Sequence, residues 1–228
     1  MDFSELSHQT EIRDSLDKIL SEHCSQERLK KYDADFKHDE DLLSLLSTNG
    51  FLGLGLNEKY GGSGEDLYDL GILFERLGYH AAPLSLSGCL ADVAQTIQKF
   101  SNEESCNEIL SSIIAGEIYT SAILEPSNQD PENPITAAEI ENNQVVITGT
   151  KYLSEIASIA KSILISTNSN EGVLLILVDT DQVKLTELNS TANSPLFKVE
   201  LDSVKVDRES IIHEKGRGLE ALKYLIQL

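Results

Sequence analysis

Residues Ser101 to Leu124 read SNEESCNEILSSIIAGEIYTSAIL, and the pattern changes midway. Ser101-x-x-Glu104 has the form of a helix-capping box. Cys106, Ile109, Leu110 and Ile113 then fall on one helical stripe, and Gly116 supplies a stop. From Tyr119 to Leu124 the run is short and rich in β-formers. A helical half therefore gives way to a strand-rich half at Gly116.

Upstream, the helical period recurs four times. Ile12, Leu16, Ile19, Leu20 and Cys24 make one stripe, and Leu42, Leu45 and Leu46 make another before Asn49-Gly50. Ser63-x-x-Asp66 has capping-box form ahead of Leu67, Leu70, Phe74 and Leu77. Leu86, Leu90, Val93 and Ile97 complete the series. Five helices in succession predict an all-α region.

Downstream, further β-rich runs cover Gln144–Thr148, Ser162–Thr167, Val173–Asp179, Val183–Leu188 and Phe197–Val206. No helical stretch separates them, which predicts an antiparallel barrel or sandwich. From Gly218 a helical period returns with Leu219, Leu222, Leu225 and Ile226. Nothing in the remaining sequence is left to cover that face, so it predicts either a truncated helical domain or a partner surface. The expected fold class is α+β, with an α-helical domain over 1–116, a β domain over 117–213 and the first helix of a truncated helical domain over 214–228.

The 228 residues are enough for a core without staples, and 40% are hydrophobic. Acids outnumber bases by 38 to 18, for a formal charge of −20. A field of that sign argues against nucleic acid and anionic membrane surfaces as partners. No apolar run approaches transmembrane length, and the first residues resemble neither a secretory nor a transit signal, so a cytoplasmic location is expected. Cys24, Cys89 and Cys106 have no C-x-x-C spacing and read as reduced, packed thiols.

The usual motifs fail on their missing context. Gly53-Leu54-Gly55 lacks a third glycine, because Glu58 holds that position. Gly61, Gly62 and Gly64 lack a Walker ending. The acidic run Asp33 to Lys37 places Lys37 at a calcium-ligand position. Asn189-Ser190-Thr191 is a sequon without a secretory signal. His8, His23, His38, His80 and His213 show no paired metal spacing, so no metal site is expected. Between Lys99 and Lys151 lie nine Asp or Glu and no Lys, Arg or His. A phosphate bound there would rely on backbone amides and hydroxyls.

Together, the order and spacing of several segments resemble the acyl-CoA dehydrogenases over essentially the whole chain. Gly50-Phe51-Leu52-Gly53-Leu54-Gly55-Leu56 followed by Asn57-Glu58-Lys59-Tyr60-Gly61-Gly62 resembles the family's N-terminal signature. Phe74-Glu75-Arg76-Leu77-Gly78 and Gly116-Glu117 resemble the next elements. Leu124-Glu125-Pro126 stands where the family usually has threonine-glutamate-proline. Ile147-Thr148-Gly149-Thr150-Lys151, Val178-Asp179, Val204 to Asp207 and Gly216-Arg217-Gly218 continue the match. Glu125-Pro126 followed by Asp130-Pro131 is similar to shorter, often heteromeric members that act on bulky acyl-CoA substrates.

The resemblance implies an FAD-dependent α,β-dehydrogenation of acyl-CoA thioesters, as in fatty acid β-oxidation, with an electron-transfer protein as acceptor and a homo- or hetero-oligomeric assembly. Carried over by position, Ile123, Leu124, Leu153 and Ser154 would contact the flavin, and Ser127 to Asp130 would lie near its phosphates. No residue here matches the catalytic glutamate, which the family carries in its C-terminal helical domain. Leu124 replaces the usual threonine, Leu153 stands where an aromatic residue commonly packs on the ring, and Asp130 lies near a usual serine. These departures leave two further readings beside a part or subunit of a dehydrogenase, namely a flavin-site-degenerate assembly subunit and a scaffold without redox role.

Overall fold

Asp39 shows how the helical half is tied. It caps the third helix by accepting from Leu42 N at 3.0 Å, and it takes a two-pronged bond from Arg28 (Nε 2.8 Å, Nη2 2.7 Å). Burial alone would raise its pKa, but Arg28 and the Leu42 amide outweigh that and hold it at about 2. In the computed structural model, which describes residues 5–35, 38–64, 66–190 and 195–228, this carboxylate is fully buried. The run Asp33 to Lys37 and the triplet Asn189-Ser190-Thr191 fall partly outside the described residues.

Contacts divide the chain into two units, residues 1–86 with 114–116, and residues 87–113 with 117–228. The first holds α1 (Ser7–His23), α2 (Gln26–Asp35), α3 (Glu40–Thr48) and α4 (Leu67–Tyr79). Leu16 and Leu20 of α1, Leu42 and Leu46 of α3, and Leu70 and Leu73 of α4 form its core. The Phe51–Gly53 turn carries the Gly53–Leu56 stretch, all of it buried. Gly62 packs against Leu56, where an added Cβ would stand 2.1 Å from the Leu56 carbonyl oxygen. These glycines shape a tight turn and not a phosphate loop. The sequence reading missed α2, whose QERLKKYDAD run offers too few apolar residues to show a period. Asp66 caps α4 by accepting from Tyr68 N, in place of the expected Ser63 box.

In the second unit a π-helical segment, Ser87–Ala94, runs into α5 (Gln95–Phe100), and α6 spans Glu103–Ile114. The fourth predicted stripe is therefore a π segment followed by one short α-helix. Asn102 caps α6 through Ser105 N, whereas the Ser101 hydroxyl donates to Ile212 O. The π segment packs on the first strand and on the last helix, so this unit runs across the change of period at Gly116.

Among the described residues, seven strands form a curled mixed sheet: β1 (Tyr119–Ala122), β2 (Ala137–Glu141), β3 (Gln144–Glu155), β4 (Ser162–Ser169), β5 (Gly172–Asp179), β6 (Lys184–Leu188) and β7 (Leu196–Asp207). The α+β class stands, but the wholly antiparallel sheet does not. β1 pairs parallel with β4, Tyr119 opposite Ser162 through Ala122 opposite Ile165, and Ala137 of β2 is likewise parallel to Asn168 of β4. The chain after β1 turns back through residues 123–136, so β2 sets out in the direction of β1. The remaining pairings are antiparallel, and no α-helix lies between β1 and β7 among the described residues. The strand β2 had no counterpart in the sequence reading, since AAEIE alternates weakly. Val145, Ile147, Ile163, Ile165, Ile176, Val199 and Leu201 fill the core.

The last helix, α7 (Gly218–Gln227), corrects the expectation of an uncovered face. Ala221, Leu222 and Leu225 are buried against β5, α5 and the π segment, and only Leu219, Ile226 and Leu228 stay outward. Lys99 sits 3.7 Å from the Tyr224 ring centre, and Phe100 packs on the same ring at a tilt of 59°. His213 fixes the approach, because its Nε2 accepts from Leu175 N at 3.1 Å while Nδ1 donates to Glu214 O. The bond accepted at Nε2 requires the neutral imidazole, and burial lowers its pKa.

Gly218 enters α7 with no room for a side chain, since a Cβ would meet Val173 O at 1.8 Å. Gly218→Ala should therefore destabilise the chain by about 1–3 kcal/mol in urea unfolding. Gly71→Ala, in α4 with open space around it, should stabilise by about 0.5–1 kcal/mol.

Candidate functional site

The chain leaves β1 at Ile123-Leu124 and meets the end of β3, where the register with β7 breaks between Lys151 and Ser154. Leu153 there takes φ +59°, and Ile156 takes +48°. Left-handed backbone is costly for leucine and rarer still for a β-branched residue, so surrounding bonds must hold it. They do. Tyr152 N donates to Leu124 O at 2.9 Å, Ser154 Oγ to Ser121 O at 2.9 Å, and Thr120 Oγ1 to Glu155 O at 2.8 Å.

Below that crossing lies a buried ion pair. Lys151 Nζ donates to Glu125 Oε1 at 2.8 Å and to Ser166 Oγ at 3.0 Å. Glu125 also accepts from Thr136 N and Ile135 N, both at 2.7 Å, and from Asn128 Nδ2 at 2.8 Å. Burial pushes the Glu125 pKa up, but the Ile135 amide, Lys151 and the other donors overcome it and hold the group at about 2. Burial pulls Lys151 down to about 8 against the pull of Glu125, so the ammonium persists at neutral pH. One carboxylate thus joins the exit of β1, the 125–136 loop, β3 and β4.

Above the pair opens a cleft of about 250 Å³ between the π segment, β1 and the end of β3. Leu124 and Leu153, 43% and 48% exposed, stand on its rim as large apolar side chains. Ser87, Gly88 and Asp92 line it from the π segment, and Thr120, Ser121, Ala122, Tyr152 and Glu155 line the rest. Gly88 lets the π segment lie close, for its Cβ would meet Thr120 Oγ1 at 2.8 Å. Asp92 accepts from Ser121 Oγ, and Glu155 accepts from Ser87 Oγ at 3.1 Å. Burial and then the nearby Glu155 charge raise the Asp92 pKa, with the Ser121 hydroxyl opposing them. Cys89 faces the other way, toward Tyr119 N. Its thiol is pushed up to about 12 by burial and is chemically inert.

Of the four residues singled out in the sequence, Ile123, Leu124 and Leu153 line this cleft. Ser154 does not, because it is buried and bonded to Ser121 O. Asp130 lies on the loop and closes its own turn, accepting from Glu132 N at 3.1 Å and Asn133 Nδ2 at 2.6 Å. Sequence reading missed Asp92 and Glu155, since neither sits in a motif and only the fold brings positions 92 and 155 together. It also missed a juxtaposition in the first unit, where ligand atoms of His8, Asp66 and Asp69 lie within 4.8 Å of one another. Those groups already serve the fold: Asp66 caps α4, and Asp69 accepts from Gln9 and pairs with His8. A smaller cavity of about 120 Å³ lies between Glu171, Arg208, His213 and Lys215, where Glu171 pairs with both cations.

Comparison with known proteins agrees with this architecture. The family model for the acyl-CoA dehydrogenase N-terminal domain matches residues 7–117. FadE12, an acyl-CoA dehydrogenase of Mycobacterium tuberculosis, is 25% identical over 199 residues, covering 82% of this chain and 51% of that protein. The mitochondrial short/branched chain specific acyl-CoA dehydrogenase of Bos taurus is 25% identical over 207 residues, covering 83% and 47%. Among solved structures, a variant of the Tcur3481-Tcur3483 steroid ACAD superposes with a TM-score of 0.86 at 26% identity, covering 96% of this chain and 60% of that one. The ChsE4-ChsE5 complex from Mycobacterium tuberculosis superposes with a TM-score of 0.90 at 21% identity, covering 99% and 61%. These similarities support the acyl-CoA dehydrogenase family. The chain spans about half the length of the curated relatives it matches.

The ion pair sets an acid limit on this unit. The folded-state pKa of Glu125 lies below its ordinary 4.5, so its contribution is full above about pH 4.5 and is lost as pH falls toward 2. Glu125→Gln should flatten that part of the stability–pH curve. Lys151→Met should cost about 3–5 kcal/mol by stranding the carboxylate, and the double variant should recover part of the loss.

Proposed function

We propose that the chain is the helical and strand portion, with its boundaries near 116 and 213, of a flavin-dependent acyl-CoA dehydrogenase-type oxidoreductase. One observation carries the reading. Two large apolar side chains, Leu124 and Leu153, flank a cleft at the crossing of β1 and β3, and Leu153 is held there in a costly left-handed backbone. Such a rim suits the faces of a planar ring, so the cleft fits the isoalloxazine part of FAD. Ile123, Leu124 and Leu153 would hold it, with Ser154 supporting the rim from below through Ser121 O. When bound, the flavin would accept hydride from the β-carbon of an acyl-CoA thioester.

The chain's own residues bind and orient, and none in the sequence matches the family's catalytic glutamate. Asp92 and Glu155 are tethered to hydroxyls inside the cleft, and Glu125 is neutralised by Lys151. The base, the acyl pocket and the docking of an electron acceptor are assigned to sequence beyond this span or to a second subunit. A second reading, a flavin-site-degenerate assembly subunit, draws support from the same cleft. Among the described residues that line it none is basic, and Leu124 offers the ring edge no hydroxyl.

Riboflavin fluorescence separates the two. The chain should quench riboflavin on binding, and Leu153→Asp should weaken that binding at least ten-fold by placing a charge on the apolar rim. It should show no acyl-CoA turnover with an artificial acceptor. Failure of riboflavin to bind would favour the assembly subunit.

A further inference from the structure

His213 closes the outer edge of β5 with a side chain in place of a strand. Ile212 N donates to Leu175 O at 3.1 Å, and Ile211 bridges Ile176. The Leu175 amide on the same edge donates to His213 Nε2, also at 3.1 Å. Nδ1, turned to the Glu214 carbonyl at 2.9 Å, carries the proton of the neutral ring. From there the chain runs directly into α7, and a Cβ added at Gly218 would stand 2.8 Å from Nε2. His213 is 8% exposed, so water does not stand ready to replace its partners.

The acids nearby are engaged with cations or exposed to water. Glu171, in the β4–β5 turn, is committed to Arg208 at 2.7 Å and to Lys215 at 2.9 Å. Arg217 is paired with Glu220, and Glu214 is exposed. Farther along α7, Lys223 pairs with Glu132 and Lys99 of α5 sits over Tyr224, while Asp92 of the π segment is bonded to Ser121.

We infer that His213 is an acid-released latch, holding α7 on β5 while its imidazole is neutral and freeing that helix when Nε2 takes up a proton. Protonation sets a second N–H against the Leu175 N–H, so an acceptor is lost and a buried charge appears. Release uncovers Ala221, Leu222 and Leu225, the side chains that pack α7 on β5, α5 and the π segment. Burial lowers the His213 pKa from its ordinary 6.5, against the Glu214 carbonyl and with the Arg217 charge. The latch is therefore complete above about pH 6.5 and is lost as pH falls through the lowered value. Glu125 and Glu171 stay ionised as that window opens, because both are held below 4.5.

Amide hydrogen exchange of the unaltered chain, expressed as protection relative to the intrinsic rate at each pH, reads the latch. Between pH 7.5 and 5.5 the protection of Leu175 and of the α7 amides should fall by about three- to ten-fold. Amides paired between β3 and β7 should keep theirs within about two-fold. The ring resonance of His213 should titrate below 6.5 in step with that loss, an arm that needs no variant to fold. His8, His23, His38 and His80 all lie within residues 1–86, so a loss localised to α7 is not theirs. His213→Gln, whose side-chain oxygen accepts without titrating, should abolish the fall. Protection of α7 unchanged between the two pH values, or an equal loss in β3 and β7, would overturn the latch. So would a fall of the same size in folded His213→Gln.

Discussion

The strand-rich unit depends on the Glu125–Lys151 pair. Two full charges sit in a region where each alone would cost several kcal/mol. They are tolerated because Glu125 has four donors arranged around its two oxygens and Lys151 has two short acceptors. Apolar replacements could fill the volume but could not specify which loop amides approach which strand. The pair fixes where the chain leaves β1, how residues 125–136 return, and the level at which β3 breaks register. The strained Leu153 and the cleft above it follow from that placement.

Charge separates the two faces of this corner. On the inner side the carboxylate is neutralised and its pKa is driven to about 2. On the outer side Asp92 accepts from Ser121 Oγ and Glu155 from Ser87 Oγ, and the Asp92 pKa moves up. The inner carboxylate thus cements the fold, whereas the outer two face the cleft.

Much of the architecture was legible because apolar periodicity reports burial directly. Leu16, Leu20, Leu42, Leu46, Ile109, Leu110 and Ile113 are all buried, as their spacing implied. The failures have physical causes. A short polar helix such as α2 is held by Arg28 reaching Asp39, and that side-chain bond leaves no period. Ser87–Ala94 winds as a π segment packed on β1 and α7, a tertiary setting that Leu86, Leu90 and Val93 cannot show. The parallel pairing of β1 with β4 depends on where a loop returns. At the cleft, Ile123, Leu124 and Leu153, named through the family resemblance, are lining residues, whereas Ser154 is buried on Ser121 O beside the register break, which no local pattern shows. Asp92 and Glu155 lie 63 residues apart and belong to no local pattern.

A crystal structure of the chain with riboflavin is the most direct measurement of whether this corner is a flavin site. The account predicts the ring seated between Leu124 and Leu153, with Lys151 still on Glu125 and no side-chain cation drawn into the cleft. A ring bound elsewhere on the chain, or a β3 end that relaxes Leu153 out of its left-handed backbone to admit the ligand, would contradict it.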